Sequence, residues 1–149
     1  MTTADPPTPT TAETLEDFFG PPISIHTRKQ ALEDGDLVDL IDFAENVSGY
    51  GKTGFTFPLA CTRRVFEELI RVPEGSAAER AGQDINGRLH DVLSMLHFAI
   101  KRGGHTDRIE YQLHVTRDRV RPTLTTLVAL CGPGDDAEPV ITIMFPDED

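Results

Sequence analysis

Residues 85–104, INGRLHDVLSMLHFAIKRGG, constrain the fold of this chain more than any other stretch. Leu89, Val92, Leu93, Leu96, Ala99 and Ile100 recur at helical spacing and make one continuous apolar face. Lys101 and Arg102 suit the negative end of the helix dipole, and Gly103-Gly104 ends the helix. A helix with such a stripe must bury it against a second layer. Met95 and Phe98 fall off the stripe, Phe98 nearly opposite. That predicts either a helix buried on two sides or an interface through Phe98.

The second layer follows directly. In RIEYQLHVT, Ile109, Tyr111, Leu113 and Val115 alternate with polar residues, the period of a half-buried strand. TLTTLVALC and VITIMF come next, separated by the turn-rich GPGDDAEP. These three segments predict an antiparallel meander.

The N-terminal half supplies shorter elements. Thr27 and Gln30 form a capping-box pattern ahead of a helix over 28–34, and Gly35 suits a left-handed end. A strand is predicted over 36–40, then one or two helical turns in IDFAENV. FTFPLACT, residues 55–62, reads as another strand. Thr62 caps RRVFEELIRV, where Val65, Phe66, Leu69 and Ile70 share a stripe and Pro73 ends the helix. PEGSAAERAGQD reads as a polar connection with room for one turn. The expected fold is α+β: an antiparallel sheet, made of the C-terminal meander plus one or two short N-terminal strands, with helices on one face. A chain of 149 residues normally makes one domain. It is expected over 21–149, behind an acidic, Pro/Thr-rich arm at 1–20 that is expected to be disordered.

Charge narrows the function. The formal net charge is −11, unevenly spread. Residues 1–60 hold 10 acids and 3 bases, residues 61–121 hold 9 and 11, and residues 122–149 hold 6 and none. Such a field repels phosphates, so direct DNA or RNA binding is disfavoured. There is no apolar run long enough for a membrane span and no basic, apolar leader. A cytoplasmic protein is expected. Cys61 and Cys131 lie in or beside apolar strand-like runs and read as buried free thiols.

No motif gives a chemistry. Gly51-Lys52-Thr53 resembles the end of a phosphate-binding loop, but Asn46 occupies the first glycine position and Pro58 prevents a following helix. The glycines read instead as a flexible loop before a strand. His90 and His97 share a side of the long helix but are about 10.5 Å apart along it, too far for one ion. No metal and no cofactor are expected. Ser94 lies one helical turn from His90 without any recognisable nucleophile context. The only basic cluster suited to phosphate is Arg117, Arg119 and Arg121, with Lys101, Arg102 and Arg108 as neighbours.

Four ordered segments carry a resemblance: HTRKQALEDGDLVDL, FTFPLACTRRVFE, GRLHDVLSML and GPGDDAEPVITIMFPDED. Together, across about residues 21–149, they resemble a domain-of-unknown-function family of small proteins carried by bacterial genomes, plasmids, phages and integrative elements. This chain has extra residues around Ser48–Gly54 relative to the family pattern. The resemblance brings no activity and no catalytic residues. It implies an accessory gene of mobile elements.

Three readings stand. In the first, the protein is a non-enzymatic acidic inhibitor or adaptor, such as an anti-restriction or anti-CRISPR protein. It would bind a basic host protein such as a nucleic-acid enzyme through Asp34, Asp36, Asp39, Asp135, Asp136, Glu138, Asp147, Glu148 and Asp149. In the second, it is a module that sequesters a nucleotide signal through His90, His97, Lys101, Arg117, Arg119 and Arg121. In the third, it is an enzyme with a dispersed site around His90, His97 and Asp91. A monomer or a homodimer fits each, and exposure of Met95 and Phe98 favours the dimer.

Overall fold

The computed structural model describes residues 27–103, 106–116 and 122–149. The arm 1–20, His26, His105 and the arginines Arg117, Arg119 and Arg121 lie outside them.

Helix α1 (Arg28–Asp34) begins with the expected capping box. Thr27 Oγ1 accepts from Gln30 N at 3.0 Å, and the Gln30 side chain accepts from Thr27 N at 3.4 Å. Gly35 ends it at φ 81°, a left-handed conformation that strains residues with a Cβ. Strand β1 (Leu37–Asp39) follows. Asp39 then caps α2 (Leu40–Asp42), which widens into a π-helical turn over Phe43–Val47. Strand β2 (Leu59–Thr62) repeats the design: Thr62 caps α3 (Arg63–Val65), which widens over Phe66–Ile70. Each π turn is closed by a bond across five residues, Ser48 N to Phe43 O and Arg71 N to Phe66 O, both 2.8 Å. In both units a phenylalanine comes four residues after the cap. Phe43 and Phe66 meet edge to face with centroids 5.0 Å apart.

A short α4 (Ala77–Arg80), capped by Ser76, leads to the long α5 (Ile85–Gly103). Then come β3 (Arg108–Val115), β4 (Thr123–Pro133) and β5 (Pro139–Met144). Among the described residues five strands form one sheet in the order β1-β2-β5-β4-β3. The predicted meander is there, with β3–β4 and β4–β5 antiparallel. The N-terminal strands extend the same sheet, because β2 lies parallel to β5. The sheet is therefore mixed, mostly antiparallel, and the fold is α+β. A parallel neighbour needs a long crossover, and here the whole segment from α3 to β4 provides it.

Leu59, Cys61, Ile141, Ile143, Ala129, Leu127 and Tyr111 line one sheet face. Against it pack Leu89, Val92, Leu93, Leu96 and Ala99 of α5, Leu40 of α2, and Val65, Leu69 and Ile70 from α3 and its π turn. Burial there pushes the Tyr111 phenol well above its ordinary range, with a smaller push from Cys61. Helix α1 sits on the opposite face, where the Arg28 guanidinium donates to Thr142 Oγ1 at 2.7 Å and to Ile141 O at 3.0 Å. The strand predicted over 55–62 begins only at Leu59. Residues 55–58 are diverted toward α5 by Phe55.

Asp135, in the β4–β5 hairpin, joins α1 to the sheet. Its two carboxylate oxygens accept from Arg28 N and Lys29 N, each at 2.9 Å. The backbone bonds from Lys29 and then Arg28 hold its carboxyl below the ordinary carboxylate range. A lowered folded pKa stabilises the fold above that range and ceases to do so as the pH falls through it. Asp135→Asn offers a single acceptor and no charge. Its urea midpoint is expected to fall below wild type at about pH 7, and the gap is expected to narrow at about pH 3.

Candidate functional site

On the flank of α5 away from β3, two histidines face the glycine-rich segment. They are seven residues apart, two helical turns, or roughly 10.5 Å of rise. Tyr50 Oη lies 3.2 Å from His90 Nδ1, and Ser94 Oγ lies 3.3 Å from His90 Nε2. A neutral ring donates through one nitrogen and accepts through the other, so His90 links both hydroxyls. Two turns on, the Phe55 ring stacks on His97 with centroids 4.2 Å apart at 25°. Asn86 Nδ2 donates to Ser48 O at 3.1 Å, and Gly51 N to Ala44 O at 3.0 Å. Residues 48–58 thus form a strap clasped to α5 at two aromatic–histidine contacts.

Gly54 allows the second clasp. Its φ is +83°, a left-handed conformation that strains residues with a Cβ. Thr53 is buried, and its Oγ1 accepts from Phe55 N at 3.3 Å. The Gly-Lys-Thr sequence is therefore part of this strap, and an extended segment rather than a helix follows it.

A cleft of about 310 Å³ opens between the strap, the C-terminal half of α5 and the sheet. Its strap wall is Gly54, Phe55, Thr56 and Phe57, and its helix wall is His97 and Ile100. Its floor is Ile109, Ala129, Cys131 and Ile141, with Thr106 at the rim. The volume is at the small end of ligand pockets, roughly 300–1,000 Å³. Phe57 is 44% exposed at the mouth, an unusual position for a large aromatic residue. The polar groups lining the cleft are His97, Thr56 and Thr106, and no lysine or arginine lines it among the described residues.

The other residues singled out in the sequence are dispersed. Asp91 lies on the far flank of α5, facing β3, so it does not meet His90 or His97. Asp39 caps α2, Asp36 pairs with Arg63 at 2.9 Å, and Glu138 accepts from Asp136 N at 3.0 Å. Asp147 pairs with Arg64 at 2.8 Å and Asp149 with Arg108 at 2.7 Å. Glu148 accepts from Thr62 Oγ1 and Phe145 N, both at 2.9 Å. These acids hold the fold's edges together, while Asp34 is the last residue of α1. Lys101 is exposed at the end of α5.

Arg88 escaped the sequence reading. It is buried in α5 and donates to Leu69 O at 3.1 Å and Arg71 O at 3.3 Å, at the C-terminal end of the α3 π turn. A cation is favourable against such carbonyls. Its only sequence signal is an arginine one position before the apolar stripe.

Among the described residues no group of three His, Cys, Asp or Glu is placed to hold a metal ion, and no helix is long and apolar enough to cross a membrane. The chain belongs to a family of unknown function, DUF6573, which its residues 16–149 match. No curated protein and no solved structure significantly matches it.

Both cysteines are free, in different settings. Cys61 is buried in the core, and burial, with a smaller push from Glu148, raises its thiol far above its ordinary range. Cys131 is half-buried on the cleft floor. Iodoacetamide is expected to alkylate Cys131 in the native protein and Cys61 only in denaturant, as read by peptide mass spectrometry.

Proposed function

We propose that the protein is a non-enzymatic binding module whose cleft beneath the strap takes a small, mainly apolar, planar molecule with one hydrogen-bonding group. The observation that carries this reading is the lining. Three aromatic rings, Phe55, Phe57 and His97, stand over a mainly apolar floor, and Thr56, Thr106 and the His97 imidazole supply the hydrogen-bonding groups. That composition suits an aromatic ligand of about indole size. A nucleotide would bring phosphates into a lining that holds no lysine or arginine among the described residues, so an uncharged ring is the better fit.

The clasp supports binding rather than catalysis. His90 has both ring nitrogens engaged, and His97 is committed to a ring stack. Ser94 sits on the helix surface and lines none of the cleft. A hydrolytic site would also need donors aimed at a developing oxyanion.

A second reading, that of an acidic inhibitor or adaptor, is favoured by the six acids and no base of residues 122–149. It suits a cytoplasmic accessory protein of a mobile element acting against a basic host protein such as a restriction or CRISPR component. The bonds that Asp135, Asp147 and Asp149 make within the chain leave this reading resting on total charge rather than on an uncommitted cluster.

Titration with indole as the probe separates the two. Indole is expected to raise the Tm and to slow alkylation of Cys131 in parallel, and Cys131→Leu, which fills the floor, is expected to abolish the Tm shift. ATP and GTP are expected to do neither. A Tm shift with nucleotides and none with indole would reverse the assignment of ligand class. Salt-reversible capture of purified basic proteins, with no indole response, would favour the acidic reading.

A further inference from the structure

The sheet has two edges of different character. β1 is three residues long, whereas β3 is eight residues long and has no partner beyond β4 among the described residues. Asp107 O accepts from Cys131 N, so the odd-numbered residues of β3 turn their backbone groups toward β4. In an antiparallel ladder the alternate residues then point outward. Arg108, Glu110, Gln112 and His114 therefore present N–H and C=O groups at the edge. No proline interrupts β3 to block pairing.

Beside this edge, α5 presents a flank of mixed polarity. Asp91, Met95 and Arg102 line a groove with Glu110, Gln112 and His114. Phe98 lies in the same helical row, between Met95 and Arg102, and is 63% exposed. Leu124, paired with His114 across the ladder, is 54% exposed. An open strand edge and an exposed phenylalanine on one side of the molecule mark an interaction surface.

We propose that the occupant is a second copy of this chain, joined by antiparallel β3–β3 pairing about a two-fold axis at Gln112. Two features select it. In that register the outward-facing residues oppose one another, so both backbone groups of each are satisfied. Glu110 of each copy then stands opposite His114 of the other, and Gln112 opposite Gln112, so one strand complements itself. The α5 flanks of the two copies then lie on either side of the axis beside a continuous ten-stranded sheet, twice the five strands among the described residues of one chain.

Sedimentation velocity of the full chain tests this across a concentration series. Wild type is expected to sediment as a dimer of the 16.4 kDa chain at high concentration. Phe98→Glu, at a surface position, is expected to give monomer. Glu110→Lys and His114→Glu are each expected to weaken the dimer about tenfold, and the double variant to restore it, because the swap again sets a basic side chain opposite an acidic one. Hydrogen exchange provides a readout independent of the variants: the amides of Glu110, Gln112 and His114 are expected to be protected in concentrated but not dilute solution. A wild type that stays monomeric with these amides exchanging freely overturns the proposal. So does a dimer that neither Phe98→Glu nor the single charge variants weaken.

Discussion

Burial of the α5 stripe against one sheet face is the contact on which everything else depends. Leu89, Val92, Leu93, Leu96 and Ala99 face strands β3, β4 and β5, while the π turns of α2 and α3 close in from the N-terminal side. Each fully buried aliphatic side chain contributes roughly 1.5–3 kcal/mol, and the contact also fixes the rotation of the helix. Once that rotation is set, the two flanks have fixed assignments. One carries His90 and His97 toward the strap, and the other carries Asp91, Met95 and Arg102 toward the β3 edge, with Phe98 exposed beside them. The cleft and the exposed flank are thus two consequences of one packing decision.

The strap turns that geometry into a site. Without the clasps, a segment with glycines at 49, 51 and 54 would have little to hold it. Tyr50 on His90 and Phe55 on His97 fix it at two points, and Gly54 makes the left-handed turn between them. The cleft exists because the strap stands off the sheet until Pro58, whose carbonyl accepts from Ile141 N at 2.9 Å. Arg88 serves the same end from beneath, joining α5 to the carbonyls at the end of the α3 π turn.

Elements governed by local rules could be read in the sequence. The Thr27–Gln30 box, the Gly35 stop, the α5 stripe and the alternation of β3 depend on neighbours within a few residues, and all are present. Features that rest on distant partners could not be read. Phe55-Thr56-Phe57 has strand composition, yet its place is set by a histidine about forty residues away along the chain. The parallel β2–β5 pairing joins segments about eighty residues apart, and neither carries a mark of it. His90 and His97 were legible as a pair on one helix side but not as a clasp. The acids of the C-terminal end were legible as charge, whereas their bonds to α1, α3 and β3 needed the folded chain.

The most direct test of the central claim, that the strap roofs a ligand cleft, is a crystal structure determined with indole present. The account predicts planar electron density between Phe57, His97 and the Cys131 floor, with Phe55 still stacked on His97. A cleft filled by the protein's own Phe57 side chain, with no ligand density and the strap lying elsewhere, would contradict it.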